Sequence, residues 1–141
     1  MSNFKMTRSG PFKGVKVSDR KGFDNDRGIL KKSWNAIEES VLDLKQFLTG
    51  RPTTPRARIL IEISKDERNQ VSEKLWYMFK LLLPICMSDT TLGLVGASKL
   101  LFSVLPEAAL PIDNNQWRKL FKTVDYSDVI RLMATEIIEW E

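Results

Sequence analysis

The sequence predicts an all-α protein, a single compact bundle of about five or six helices with a mobile basic N-terminal arm. Three observations support this fold class. The chain has 141 residues, the length of one domain. Apolar residues recur at helical spacing along most of it, and strands do not alternate with helices as they do in α/β proteins. The predicted division is a flexible basic arm of residues 1–28 and an all-α domain of residues 29–141.

The N-terminal arm holds the excess of positive charge. Residues 1–32 contain nine basic and three acidic side chains, whereas the rest of the chain contains 13 and 15. Residues 1–28 contain four glycines, Pro11 and few apolar residues. The apolar surface that this segment can bury is too small to offset the conformational entropy lost on ordering it, so we expect no regular structure there. Three phenylalanines interleave with the cations and can either stack on nucleic-acid bases or pin the arm to its domain: Phe4, Phe12 and Phe23.

The first helix is predicted to begin at Ser33, a residue type that caps helices, and to stop at Gly50. Its apolar stripe has spacings of three and four residues: Trp34, Ile37, Val41, Leu44 and Leu48. Two prolines in residues 51–55 exclude a continuing helix. Residues 57–63 are expected to be helical or irregular, because a lone β-branched run has no partner strand in this chain.

Two helices are predicted in the middle of the chain. Ser64 and Glu67 have the spacing of a capping box in front of a long apolar stripe, which Pro84 is expected to end. Residues 94–105 form the next helix. Because this helix is apolar on almost all sides, we expect it to be central in the core.

Two more helices complete the predicted bundle. Asp113 or Asn114 starts the first of them, and Asp113 is a suitable N-cap after an extended entry. Ser127 caps the last helix, over residues 128–141. The residues predicted to form the core lie on the apolar stripes of these helices: Trp34, Leu44, Leu75, Phe79, Leu101, Leu105, Phe121 and Ile137.

The composition excludes several kinds of chemistry. With no histidine, the chain cannot hold a Ser-His-Asp or Cys-His pair, a His-ligated zinc or an imidazole acid–base group. Its one cysteine, Cys86, lies in an apolar run and is expected to be a buried, inert thiol. No catalytic residue, metal ligand or cofactor is therefore assigned. The lack of a signal-peptide run, an apolar span and a disulfide framework predicts an intracellular, cytoplasmic location.

Two glycines, Gly93 and Gly96, mark a turn that opens into a helix with Ser98 and Lys99 near its start. Backbone N–H groups at a helix start, beside glycines that allow close approach, can bind a phosphate-sized anion. The same glycines can instead allow a tight corner between two helices. The candidate nucleic-acid contacts are this turn together with the basic arm: Gly93, Gly96, Ser98, Lys99, Lys13, Lys16, Arg20 and Lys21.

Residues 90–121 resemble the helix-hairpin-helix region of the endonuclease III-type DNA glycosylase superfamily. Gly93 and Gly96 look like its hairpin glycines, with Lys99 as the basic residue behind them. Asp113 looks like its aspartate segment, although the glycines here are three residues apart instead of two and no histidine follows the aspartate. For an enzyme of this kind, the resemblance implies Lys99 as an amine nucleophile and Asp113 as its electrostatic partner. The Gly-Ala-Ser-Lys and Pro-Ile-Asp pattern also resembles uncharacterised helical proteins.

Two functions of different class remain open, and a third is more distant. The first is a non-catalytic protein-interaction or assembly module, because four tryptophans in a small chain supply the residue type most enriched at interface hot spots. Its partner is another protein or a second copy of the chain. The alternative is a small nucleic-acid-binding domain, in which the glycine turn and the basic arm hold the backbone of DNA or RNA. The distant alternative is a glycosylase-like enzyme.

Overall fold

The computed structural model describes residues 10–17, 22–49, 62–106 and 114–123, together with residues 108, 109, 111, 125, 128, 129 and 132. Within this part of the chain, a 3-10 turn (Gly10–Phe12) precedes two short strands, β1 (Lys16–Val17) and β2 (Gly22–Phe23). Four helices follow: α1 (Ile29–Leu48), α2 (Lys65–Cys86), α3 (Leu94–Val104) and α4 (Asn114–Leu120). The predicted all-α class is confirmed. None of the helices described has the length and apolar character needed to cross a membrane.

Helix α2 is the centre of the bundle, because both α1 and α3 pack against it. An ion pair between Asp43, in the second half of α1, and Lys74, near the middle of α2, joins these two helices. Asn25, just before α1, bonds to Pro11, which lines one cavity together with Cys86 at the end of α2. The buried apolar side chains come from the segment before α1, from the helices and from residues that flank them, and include Phe12, Val15, Ile37, Val41, Leu44, Val71, Leu75, Phe79, Leu82, Ala97, Leu101, Leu105, Trp117 and Val129.

Helix α1 begins one turn before the predicted cap. Ser33 is not the N-cap but a residue inside the helix that is only 2% exposed, and the helix starts at Ile29. The extra turn places Ile29 and Ser33 in phase with the later buried residues, so the buried stripe turns away from Trp34. The prediction that Trp34 belongs to the core is therefore wrong, since 37% of this side chain is exposed.

Helix α2 begins as predicted but ends later. Ser64 Oγ accepts a hydrogen bond from the Glu67 amide at 3.2 Å, and Glu67 Oε2 accepts one from the Ser64 amide at 2.8 Å, so the capping box is confirmed. The end predicted at Pro84 is wrong, because the helix continues through this proline to Cys86. Pro84 and Lys80 are both exposed, so the Lys80 carbonyl that the proline leaves without an N–H partner can turn to water.

The described part of the arm packs on the helices. The expectation of an arm without regular structure is therefore wrong for residues 10–17 and 22–28. Phe12 and Val15 are each 6% exposed and belong to the same core as the helices. The arm is poor in apolar residues, as the sequence indicates. The burial of Phe12 and Val15 nevertheless anchors the described segment to the helices.

Most of the predicted core is confirmed. Phe121 is partly buried and packs against the core, and helix α3 covers all but the last residue of its predicted range. The fully buried residues among those predicted are Leu44, Leu75, Phe79, Leu101 and Leu105. Other predictions fall outside the described residues: those for Gly50, residues 51–61, Asp113, Ser127 and residues 133–141, which include Ile137.

Candidate nucleic-acid interface

The turn between α2 and α3 requires glycine at position 93. Backbone hydrogen bonds of 3.0 and 3.1 Å between Ser88 and Thr91 close the turn, and the Gly93 amide donates to Thr91 Oγ1 at 3.2 Å. Gly93 has a φ of +81°, and a Cβ there would lie 2.8 Å from the carbonyl carbon of Cys86. A side chain at this position would therefore meet both backbone strain and a collision.

Gly96, in the first turn of α3, is where the N-terminal segment meets this corner. A Cβ on Gly96 would lie 2.8 Å from Cε2 of Phe12 and 3.4 Å from Cβ of Cys86. The ring of Phe12 is part of the core and is not available to stack on a base. The close approach that the glycines permit is thus used by the chain's own side chains, as expected for a tight helix corner.

A partly open cavity of about 270 Å³ lies at the same corner. It is smaller than the roughly 300–1,000 Å³ of typical small-molecule sites. Ser98 is buried and donates its hydroxyl to the Val95 carbonyl at 2.9 Å, while Lys99 is half-buried and already engaged within the chain, so neither faces the cavity. The lining comes from three segments: Gly10, Pro11, Phe12, Cys86, Thr90, Thr91, Gly93, Val95 and Gly96.

Cys86 is packed under this turn. Its side chain is 1% exposed, and burial raises the pKa of its thiol to about 12. The sulfur is therefore protonated at neutral pH and acts as a small apolar group. The expected burial of Cys86 is confirmed, and the low reactivity of its thiol stays a prediction.

Asn25 joins the N-terminal segment to the start of α1. Its Nδ2 donates to the carbonyl oxygens of Pro11 at 2.7 Å and Lys13 at 3.0 Å. Its Oδ1 accepts from the amides of Arg27 at 3.2 Å and Ile29 at 3.3 Å. Both donors and both acceptor positions of the side-chain amide are occupied, so one residue holds the two segments in a fixed relation.

Asp24 caps α1 in place of the N-cap residue, Gly28, which has no side chain. Its Oδ1 accepts from the Leu30 amide at 2.9 Å, and its Oδ2 accepts from the Lys31 amide at 3.0 Å. Desolvation tends to raise the pKa of Asp24, but the backbone hydrogen bonds outweigh it and hold the pKa below the usual 3.8. The ionised carboxylate therefore neutralises the positive end of the helix.

Four exposed cations lie in the two segments that Asn25 and Asp24 join, and we call them the basic surface: Lys13, Lys16, Arg27 and Lys31. None of the four forms an ion pair within the residues that the structure describes. Lys13 and Arg27 are the residues whose backbone Asn25 binds, and Lys31 donates its amide to Asp24. Of the predicted contacts, Lys13 and Lys16 are thus placed together, whereas Arg20 and Lys21 lie outside the described residues.

Asp24 and Asn25 are not among the residues that the sequence predicts for the site. A signal for them is present, because an Asp-Asn-Asp run shortly before the apolar Ile29 is typical of a helix start. Ser33 supplied a competing signal, since it is a good capping residue immediately before a regular apolar stripe. The two signals lie about two turns apart, and the spacing of the stripe does not distinguish them.

The resemblance to the glycosylase superfamily rests on residues that the structure describes only in part. Gly93 and Gly96 lie at the start of α3 and Lys99 lies in its second turn, but Asp113 is outside the described residues. A pairing of Lys99 with Asp113 therefore stays a prediction. Comparisons with protein-family models, curated proteins and solved structures found no match.

Proposed function

We propose that this chain is a small, non-catalytic nucleic-acid-binding domain that holds the phosphate backbone on the basic surface. The observation that carries the proposal is a set of exposed cations, Lys13, Lys16, Arg27 and Lys31, that form no ion pair with any residue the structure describes. The hydrogen bonds of Asn25 and Asp24 join the backbone at Lys13 to that at Arg27 and Lys31, and Lys16 lies three residues after Lys13. Lysine and arginine contacts to phosphate supply most of the affinity of such domains without reading sequence.

The position of two of these cations supports binding rather than stability. Arg27 and Lys31 lie at the N-terminal end of α1, where the helix dipole is positive and a cation is unfavourable by ~0.3–1 kcal/mol. Their charges therefore do not stabilise the helix. An anionic ligand would be attracted by these cations, whereas the helix end itself is already occupied by the carboxylate of Asp24.

The glycine turn has a different role in this proposal from the one that the sequence suggested. Gly93 faces the backbone of Cys86 and Met87, and Gly96 faces the ring of Phe12, so the room that the two glycines leave is taken up by the chain itself. Their contribution is to fix the segment that carries Lys13 against the helices. The phosphate contacts come from the side chains of the basic surface.

The test is a titration of fluorescently labelled duplex DNA with the full chain at several salt concentrations. Four phosphate contacts predict a slope of log K against log salt near −3.6, so affinity should fall about 150-fold between 50 and 200 mM salt. Lys13→Gln and Lys16→Gln should each weaken binding to all sequences and reduce the slope by ~1.

Lys65→Gln is the matched control. Lys65 is an equally exposed cation at the opposite end of α2, about 30 Å along the helix from Cys86 at ~1.5 Å per residue. It should change neither affinity nor slope. Absence of binding at 50 mM salt, or an equal effect of all three substitutions, would contradict the proposal.

A protein-interaction module is the second candidate, and the exposed apolar side chains at the α2–α3 corner favour it. Met87 is 50% and Leu92 72% exposed, and both neighbours of Leu92 in the chain line the cavity. The partner proposed is a second copy of the chain, because the exposed leucine and the cavity lie on one corner of each copy. Sedimentation velocity should then show salt-tolerant self-association that Leu92→Ser abolishes, whereas a monomer at all concentrations would exclude it.

A further inference from the structure

We infer that the basic surface prefers single-stranded nucleic acid, because Phe23 is placed on it to stack against an unpaired base. This inference rests on the proposed function. Phe23 is the last residue of β2 and is 55% exposed. It is also directly opposite Lys16 in the antiparallel pair of β1 and β2.

The pairing of Phe23 with Lys16 places an aromatic ring and a cation side by side. Residues directly opposite each other in an antiparallel pair project to the same face, with Cβ atoms roughly 4.5–5.5 Å apart. Lys16 can therefore contact a phosphate while the ring of Phe23 lies beside the base of the same or the next nucleotide. Proteins that bind single strands combine these two elements, a cationic track and an aromatic platform.

The two phenylalanines of the described N-terminal segment differ in burial. Phe12 is 6% exposed and packs against Gly96, whereas more than half of Phe23 remains in water. The segment around Phe23 is held by the hydrogen bonds of Asn25 and Asp24 and by the burial of Phe12. The ring of Phe23 therefore contributes little to the core, and its exposed part is accessible to a ligand.

A duplex cannot use this ring, because the faces of its bases are already stacked on one another. In a single strand each base has a free face, and stacking on an aromatic side chain is tolerant of sequence. The expected result is stronger binding of single strands than of duplexes of the same length. Phosphate contacts alone would not produce this difference, because duplex DNA carries the higher charge density.

The experiment compares labelled oligo(dT) with a duplex of equal length by fluorescence anisotropy at low salt. Phe23→Ala should weaken binding of oligo(dT) by roughly 5- to 150-fold, which is the loss of one stacked base, and should leave duplex affinity unchanged. Phe23→Tyr should retain the affinity for oligo(dT), because it keeps an aromatic face. Circular dichroism should show the same helix content for all three proteins.

The outcomes separate this inference from the proposed function. If the wild type binds both DNAs with the expected salt slope but Phe23→Ala changes neither or weakens both equally, the preference for single strands is wrong and the basic surface stands. If neither DNA binds at low salt, the proposed function and this inference fail together. Loss of oligo(dT) binding in Phe23→Tyr as well as Phe23→Ala would also contradict stacking.

Discussion

Replacing Gly93 by alanine is the sharpest test of the corner on which the N-terminal segment is placed. Two independent costs are expected. An alanine at a φ of +81° is strained by ~1–2 kcal/mol. Its Cβ would in addition lie 2.8 Å from the backbone carbon of Cys86 and 2.9 Å from the Met87 amide nitrogen, and forcing atoms into a packed region costs ~1–3 kcal/mol. The free energy of unfolding should therefore fall by ~2–5 kcal/mol.

Gly10→Ala is the matched control for the strain alone. Gly10 also has a left-handed φ, +68°, but a Cβ there would have no atom within 4 Å. Urea denaturation followed by circular dichroism gives both free energies of unfolding. Gly10→Ala should cost ~1–2 kcal/mol, and the difference between the variants isolates the collision. Equal losses in the two variants would show that the end of α2 does not pack against Gly93.

Three further predictions concern the core, the cap and the thiol. Leu101→Ala should lower the free energy of unfolding by ~2–5 kcal/mol, because Leu101 is fully buried, whereas Leu92→Ala, at a residue that is 72% exposed, should change it little in the same urea titration. Asp24→Ala should cost ~1 kcal/mol at pH 7. Since hydrogen bonds hold the folded pKa of Asp24 below 3.8, this cost is expected above pH 4 and should decline as the pH falls through the folded pKa; a cost that stayed constant throughout an acid titration would contradict the cap. With its pKa raised to about 12, Cys86 should react with iodoacetamide at pH 8 only after addition of urea, and rapid alkylation of the folded chain would contradict its burial.

The parts of the fold that the sequence predicts correctly are those specified by nearby residues. The start of α2 follows from Ser64 and Glu67, which are three positions apart and bond to each other. The bounds of helix α3 also follow from nearby residues, because the glycine turn precedes the helix and the apolar run covers its length. A local pattern suffices where the partners of a hydrogen bond or a contact lie within one turn.

The parts that the sequence analysis misses depend on contacts between distant segments. Helix α1 starts at Ile29 because Asp24 reaches forward to the amides of Leu30 and Lys31, beyond the span of an ordinary N-cap. Phe12 and Phe23 both lie in the arm, each close to a lysine. The ring of Phe12 is buried against Gly96, a residue of α3 that is more than 80 positions away in the chain, and the sequence around Phe12 does not show this contact.

The sequence predicts several residues of the candidate site but not how they are arranged in space. Lys13 and Lys16 were identified from the charge of the arm, and the glycines from their spacing. That Asn25 and Asp24 join the segments that carry the cations, and that the glycines face inward, follows from tertiary packing. Lys99, which looks like the basic residue of a hairpin motif, is drawn into the fold instead.

The saturated amide of Asn25 has a consequence for how the molecule opens. Because its two donors bind the turn near Pro11 and its two acceptor positions bind the start of α1, separating the two segments breaks at least two of these hydrogen bonds at once. The turn and the first turn of α1 therefore form one cooperative unit, and their amides should exchange with solvent deuterium at a common rate. A ligand held on the basic surface would slow that exchange in both segments at once, although they are more than ten residues apart in the chain.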